Sequence, residues 1–267
     1  ETAVAQATDL HAEDERGIEA LSGIDLTVHE GEVVGVAGVS GNGQRELAEC
    51  LVGVRNSTAG EITIGGRDLT NDSSQSFIDA DVSYIPEDRY KFGCTPDRSL
   101  VENAILKDRA SFSRILLDHQ KAREHADQIV EDFDVRTPDI DTQANKLSGG
   151  NLQKLICGRE LARDPDFLVA NQPTRGIDVG AIEYIREVLL EQCATGTGIL
   201  LFSENLDEIL QMSDRIVVLY EGEIVFKTRA GETSREEIGQ HITGATGRDS
   251  TVGGDDGSST RALEVET

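Results

Sequence analysis

The stretch GVSGNGQREL has the spacing of a phosphate-binding loop but lacks two of its chemical groups. Gly38 and Gly43 occupy the two glycine positions of the pattern G-x-x-x-x-G-K-[ST]. In that pattern backbone N–H groups cradle phosphates, the Lys adds a positive charge, and the hydroxyl ligates Mg²⁺. Gln44 and Arg45 stand where the Lys and the hydroxyl residue are required. The stretch therefore predicts a phosphate cradle without its cation and its metal ligand.

A second glycine-bearing stretch, LSGGN, stands directly before the helical run LQKLICGREL. A Ser and two Gly residues at a helix start leave backbone N–H groups free to face an anion, and the helix dipole reinforces that attraction. Further along, FLVANQPTRGID is an apolar strand that ends in Asn171 and Gln172, with Asp178 just beyond. Glu87 in YIPEDR and Glu204 in LFSEN each follow another predicted strand. These stretches supply the polar groups of a candidate site.

The elements that position these groups alternate between strands and helices. ETAVAQATDL and IDLTVHEGEVVGVAG predict three strands, and the glycine loop and the helical run QRELAECLVGV follow them. GEITIGGRDL predicts a hairpin arm, and DVSYIPED predicts a strand that enters a loop. Helical spacing runs from about Leu100 to Asp132, and βα alternation then resumes up to RIVVLYEGEIVF. The pattern predicts an α/β fold with a mostly parallel sheet, an antiparallel β arm and a helical insertion.

Charge restricts the partners of the protein. Fifty acidic and 25 basic residues give a net charge of −25, and only six of the basic residues are Lys. A field of that sign argues against nucleic acid as a partner. The acidic excess is spread along the whole chain, and Arg outnumbers Lys, which indicates the cytoplasmic surface of a halophile's protein.

Apolar runs and cysteines restrict the compartment. The longest apolar runs fall short of the ~18 residues that span a bilayer, so we expect any membrane role to come through a partner. The four cysteines are widely separated, which favours core thiols over disulfides or metal ligands. The five His residues show no metal-binding spacing, so we expect no metal site held by this chain. Because the chain begins with Glu1, we interpret it as a piece of a longer protein.

The order of these motifs resembles the nucleotide-binding domain of ABC transporters over residues 1 to about 243. The resemblance implies a P-loop NTPase-like ABC ATPase domain with a helical subdomain at about 90–160. GVSGNGQREL, YIPEDR, LSGGNLQK and QPTRGIDVGA are similar to the second, C-terminal domain of tandem importer ATPases for sugars and nucleosides. Residues 244–267 are rich in Gly, Ser and Asp, and predict a flexible acidic tail.

Several catalytic positions differ from the pattern of an active domain in this family. An active domain of the family has Lys at the position of Gln44 and Ser or Thr at the positions of Arg45 and Glu46. It has Asp at the position of Asn171 and Glu at that of Gln172. It has Gln at the position of Glu87 and His at that of Glu204. These residues handle phosphate charge, Mg²⁺, the attacking water and the γ-phosphate, so the resemblance implies that this site does not hydrolyse ATP. Two interpretations of Arg45 remain open: it faces solvent, or it replaces the missing cation and retains nucleotide without metal.

The resemblance assigns nucleotide contacts to both glycine stretches and to the strand end that follows them. The residues are Gly38, Ser40, Gly41, Asn42, Gly43, Gln44, Arg45, Glu46, Leu147, Ser148, Gly149, Gly150, Asn151, Asn171 and Asp178. In this family two domains face head to tail, and each ATP lies between the glycine loop of one and the LSGG of the other. The chain is thus expected to donate LSGGN to a Mg-ATP site whose loop belongs to a partner domain with intact motifs, the N-terminal half of the same polypeptide.

The same resemblance implies integral membrane permease subunits as partners and a place on the cytoplasmic face of the membrane. The permease is expected to contact the segment from Arg89 to Leu106, where Tyr90 and Phe92 are candidate anchors. In the alternative, these two aromatic side chains pack beneath their own loop. Two other functions remain open: an autonomous ATPase, which the altered positions oppose, and a non-transport ABC protein on ribosomes or DNA, which the acidic charge opposes.

Overall fold

The structure is a computed structural model that describes residues 2–107 and 118–244. The predicted tail lies outside the described residues apart from Gly244. The strands are β1 (Ala3–Glu13), β2 (Glu19–His29), β3 (Val33–Ala37), β4 (Ala59–Ile64), β5 (Arg67–Asp68), β6 (Val82–Ile85), β7 (Phe167–Asn171), β8 (Gly198–Phe202), β9 (Arg215–Tyr220) and β10 (Glu223–Arg229). The helices are α1 (Gln44–Cys50), α2 (Ser74–Ile78), α3 (Leu100–Ala104), α4 (His119–Asp132), α5 (Gly149–Leu161), α6 (Val179–Ala194), α7 (Leu206–Met212) and α8 (Arg235–Ile242).

The strands form a large mixed sheet and a smaller antiparallel one. The six-stranded sheet has the order β10-β9-β3-β8-β7-β6, in which every neighbouring pair is parallel except β10 with β9. The four-stranded sheet has the order β2-β1-β4-β5 and is antiparallel. Parallel strands place their carboxyl ends at one edge, so the loops after β3, β6, β7 and β8 meet there. The predicted α/β fold with an antiparallel arm is confirmed.

The central strands are buried on both faces, and their residues alternate between two cores. Every residue of β3, β7 and β8 is buried, as expected for strands covered on both sides. One core packs the sheet against helices α5 to α8, and Val33 belongs to it. The other core packs the sheet against α1 and the four-stranded sheet, and Val34 belongs to it. The two cores hold the strand ends in fixed positions beneath the loops.

The helical insertion follows β6. It begins with a π-helical turn (Arg89–Gly93) and continues through α3, α4 and a 3₁₀ turn (Ala144–Lys146) into α5. The helical run after the glycine loop ends at Cys50, earlier than QRELAECLVGV suggests, and Gly53 then adopts a φ of 67° against Phe77.

The cysteines and the apolar character of the helices bear on the expected compartment. All four cysteines are free thiols; Cys50, Cys157 and Cys193 are buried, and Cys94 is half-buried. The described ranges contain no helix with the length and apolar character that a membrane span requires.

Candidate nucleotide-binding site

The glycine loop (residues 38–43) joins β3 to α1 and depends on glycine at its last position. Gly43 has a φ of 101°, and a Cβ atom there would lie 2.6 Å from the carbonyl oxygen of Ala20. Among the described side chains, none caps the start of α1, which leaves its first backbone N–H groups available. Asn42 holds the loop to the β9–β10 turn, because its Oδ1 accepts from the N–H of Glu221 at 3.2 Å. The loop backbone retains the features of a phosphate cradle.

The side chain of Gln44 folds back into the glycine loop. Its Nε2 donates to the carbonyl oxygen of Val39 at 2.9 Å, and the Gln44 amide lies against Gly38. The buried Oε1 of Gln44 and the buried Nδ2 of Asn42 have no hydrogen-bond partner within the described residues. The first side chain of α1 is thus a neutral amide that binds the loop before it.

Arg45 is bound to acidic residues of the protein itself. Its Nε donates to Glu49 at 2.7 Å, its Nη2 donates to Glu15 at 2.9 Å, and its Cζ lies 5.9 Å from the centre of the Phe92 ring. The hydrogen bond to Glu49 raises the pKa of Arg45 above its usual value. Glu49 is buried and also accepts two hydrogen bonds from Arg55. Arg45 is therefore half-buried and paired with two carboxylates, and its role toward a nucleotide stays a prediction.

Asn171 and Gln172 stand at the carboxyl end of β7. Asn171 is buried and hydrogen-bonds the hydroxyl of Tyr84, whose pKa burial raises to about 12. Gln172 has a φ of 53°, and its Oε1 accepts from the backbone N–H of Glu204 at 3.3 Å. The Gln172 side chain thus connects the loops after β7 and β8.

The groups at this loop do not fit a magnesium ion. Mg²⁺ prefers carboxylate, hydroxyl and water oxygens in an octahedral arrangement. The corresponding positions carry the amide of Asn171 and the guanidinium of Arg45, and Arg45 is a cation itself. Among residues 2–107 and 118–244, no cluster of His, Cys, Asp or Glu has the arrangement of a metal site.

The LSGGN motif (residues 147–151) forms the start of α5. Ser148 caps the helix, because its Oγ accepts from the backbone N–H of Asn151 at 3.3 Å and from Asn151 Nδ2 at 3.0 Å. Leu147 is buried and anchors the motif to the core. Both glycines lie in the first helical turn, and a Cβ on Gly150 would lie 2.9 Å from Ala181 and from Asp178 Oδ2. Ser148 and Gly149 stay at the surface, so the positive end of a 13-residue helix is accessible.

A clasp of three charged side chains joins the loop after β6, the LSGGN motif and the loop after β7. Glu87 forms an ion pair with Arg175. Arg89 donates from Nη2 to the carbonyl oxygen of Arg175 and from Nη1 to that of Gly149, the latter at 3.3 Å. We call these three side chains the Glu87 clasp. The sequence singled out Glu87 but gave no sign of Arg175 as its partner.

A cleft of about 710 Å³ extends from the first turn of α1 to the LSGGN motif. Its walls include Arg45 beside the glycine loop, Asn171 at the end of β7, the Glu87 clasp, and Gly149 of the LSGGN motif. Ser40, Gly41, Asp178 and Glu204 are exposed, and Glu46 is half-buried in the first turn of α1. Asp178 caps α6 by accepting from the N–H of Ala181 at 3.0 Å.

A buried carboxylate lies beneath the loops after β7 and β8. Glu208 is fully buried and accepts hydrogen bonds from Thr174 at 2.7 Å, from Ser203 at 2.6 Å and from Arg186 at 3.0 Å. Thr174 follows β7 and Ser203 follows β8, so one carboxylate connects both loops. The sequence did not indicate this group, since Glu208 reads as one of many acidic residues.

Comparisons with known proteins agree with this architecture. The family model described as ABC transporter matches residues 21–175. The glucose import ATP-binding protein of Haloferax volcanii is 55% identical over 94% of this chain and 46% of that protein. The guanosine import ATP-binding protein of Bacillus subtilis is 42% identical over 87% of this chain and 46% of that protein. The chain spans about half the length of the curated relatives it matches.

Solved structures show the same fold. A nucleotide-free ATP-binding cassette from an ABC transporter aligns over 91% of this chain and 96% of its own, with a TM-score of 0.72 and 21% identity. An ATP-binding cassette in a dimeric post-hydrolysis state with ADP and Pi aligns over 85% of this chain and 98% of its own, with a TM-score of 0.72 and 22% identity.

Proposed function

Because the chain belongs to the ABC transporter family, we propose that it is the LSGGN-donating half of an importer ATPase for sugars or nucleosides. Its own glycine loop forms an inert site, and its LSGGN motif completes a working site on a partner domain. ATP with Mg²⁺ lies in that composite site, where the partner supplies the intact glycine loop, the metal ligands and the catalytic base.

One contrast within the cleft carries this proposal. The LSGGN motif retains its serine and both glycines, since an exposed Ser148 caps α5 and both glycines lie in the first helical turn. The opposite wall carries Arg45 and Asn171 at positions where active domains of the family have metal-binding residues, and Gln44, the residue before Arg45, is a neutral amide that binds its own loop. A chain with these two walls is suited to act on nucleotide held by another domain.

The partners follow from the asymmetry of the chain. A second copy would repeat the altered glycine loop at both sites of a symmetric dimer. A partner with intact motifs, such as the other half of a tandem polypeptide, gives one working site and one inert site. Curated relatives about twice as long as this chain support the tandem arrangement. We further propose that integral membrane permease subunits bind the pair at the cytoplasmic face of the membrane.

The proposed class of transported solute rests on the names of the relatives. Their names specify glucose import in Haloferax volcanii, guanosine import in Bacillus subtilis and nucleoside import in Lactococcus lactis. These names support a small polar solute that contains or resembles a sugar. The relative from Haloferax volcanii also supports the proposal that the acidic surface is a halophilic adaptation.

The test measures ATP turnover of the complete transporter after substitutions at either wall. Ser148→Ala and Gly149→Ala should each reduce turnover by about 10²-fold, as expected when a group that stabilises transition-state charge is lost. Gln44→Ala and Gln172→Asn are the matched controls and should reduce it by less than about 3-fold; Asn tolerates the left-handed conformation of position 172. Equal losses at both walls would show that the working site has been assigned to the wrong side. Co-purification with ribosomes and not with a permease would contradict the importer assignment.

A further inference from the structure

We propose that the Glu87 clasp positions the LSGGN motif for the partner's ATP. This inference rests on the proposed function. It makes Glu87 a working part of the composite site, although Glu87 stands where an active domain has Gln. Glu87, Arg89 and Arg175 are positioning residues, since they act through Gly149.

The clasp joins the loop after β6 to two other segments of the chain. Glu87 binds the side chain of Arg175, whereas Arg89 binds the backbone carbonyl of Arg175. The same guanidinium of Arg89 reaches Gly149 with its second terminal nitrogen. The loop after β6 therefore holds the loop after β7 twice and the LSGGN motif once. Movement of one of these three segments must displace the others or break a charge-assisted hydrogen bond.

Two glycines leave the space that the guanidinium of Arg89 occupies. A Cβ on Gly149 would lie 3.0 Å from Nη1, and a Cβ on Gly176 would lie 3.7 Å from Nη2. Arg89 fits between these backbones because its planar fork presents two donors to two carbonyl oxygens at once. A Lys at this position has one ammonium group and cannot reproduce that geometry.

A capped turn fixes the backbone that carries Arg89. Arg89 opens the π-helical turn Arg89–Gly93, which Asp88 caps by accepting from the N–H groups of Tyr90 at 3.1 Å and Lys91 at 3.0 Å. The cap holds Arg89 at the start of the turn, from which its guanidinium reaches Gly149.

A role in stability alone does not account for the clasp. The side chains of Arg175 and Glu87 are 53% and 37% exposed, and ion pairs that exposed stabilise a fold only slightly. Loss of the clasp should therefore leave the melting temperature nearly unchanged and alter catalysis. Charge reversal of the Glu87–Arg175 pair should restore the kcat that the single substitutions lower, because the interaction depends on opposite charges at this spacing.

The experiment uses the complete transporter, with its permease, and measures kcat and KM for ATP with and without transported solute. The single variants Glu87→Gln, Arg175→Gln and Arg89→Lys should each lower solute-stimulated kcat by about 10-fold or more, since small misplacements of a site are costly. KM for ATP should change little, because the partner's loop binds most of the nucleotide. The double variant Glu87→Arg with Arg175→Glu should recover to within about 3-fold of the unmodified protein. Arg123→Ala is the matched control, as it removes an exposed Arg that pairs with Asp141 in the helical insertion.

Three results would overturn the inference. The charge-reversed pair could stay as impaired as the single variants, Arg89→Lys could behave like the unmodified protein, or the losses could equal that of Arg123→Ala. In each case a strong loss on Ser148→Ala in the same assay would preserve the proposed function while the clasp fails. Absence of any loss on Ser148→Ala would remove the basis of both.

Discussion

At the scale of single residues, the first two side chains of α1 bind the protein itself. Gln44 binds the loop that contains it, and Arg45 binds Glu15 and Glu49. An incoming nucleotide would have to compete with these contacts for the same groups. Since Glu49 is buried between two guanidinium groups, freeing Arg45 would also disturb a compensated internal charge.

The chain by itself should therefore show negligible Mg-ATPase activity. Loss of a general base alone typically lowers a rate by 10²–10⁴, and in the proposed function the metal ligand and the phosphate cation are absent from this site as well. Gln44→Lys should not restore activity, because Asn171, Gln172 and Glu204 are unchanged. The measurement is phosphate release by the purified chain at saturating Mg-ATP.

The matched control for that assay is the same preparation of Ser148→Ala, which reveals contaminating ATPase. Turnover that exceeds this control, by either the unmodified chain or Gln44→Lys, would contradict the assignment of an inert site.

At the scale of elements, the periodicity of the apolar residues and the order of the motifs were sufficient to predict the architecture. Alternating and apolar runs located the strands, and the glycine loop and LSGGN motif stand at the helix starts that their composition indicated. Pairings between distant side chains could not be predicted in this way. Glu87 and Arg175 are separated by 88 positions, and Thr174 and Glu208 by 34, so their contact depends on how the sheet brings loops together.

Some local features also had no sequence signal. Gln172 adopts the left-handed conformation, which Gly and Asn favour and Gln seldom enters. Arg45 illustrates a different limit, because α-helical spacing predicts its contact with Glu49 but not the one with Glu15 on the β1–β2 turn.

The π-helical turn supplies a prediction at the same scale. Replacing both Tyr90 and Phe92 with Ala should uncouple solute transport from ATP turnover, because these side chains are exposed on the proposed permease contact. The unfolding free energy of the chain should fall by no more than about 1 kcal/mol, since Phe92 has Lys91 and Arg45 near its ring and such exposed contacts contribute little. Denaturant titration of the chain and a transport assay of the complete assembly provide the two measurements.

A loss of more than about 2 kcal/mol in unfolding free energy would instead identify the aromatic pair as part of a core, as sequence analysis had left open. Leu190→Ala is a suitable control, because Leu190 is an exposed apolar side chain on α6, outside the turn.

At the scale of the whole molecule, the charge imbalance should make folding depend on salt. At low ionic strength the screening length is ~30 Å at 0.01 M, so the carboxylates repel one another across much of the domain. Molar KCl shortens this length to ~3 Å. We expect the melting temperature to rise steeply with KCl and the fold to loosen in dilute buffer.

Circular dichroism melting curves in KCl from about 0.1 M to about 3 M provide the measurement. A melting temperature that does not change over this range would refute the halophilic interpretation of the acidic surface. Parallel melts with an uncharged osmolyte of equal osmolarity separate charge screening from general stabilisation by excluded solutes.

The buried carboxylate of Glu208 has a consequence for what this scaffold could become. Thr174 and Ser203 fix the loops after β7 and β8 from below, whatever residues stand at the loop tips. Gln172 and Glu204 stand in these same loops. For a protein engineer, the buried carboxylate thus marks a frame to leave untouched while the exposed parts of the loops are redesigned.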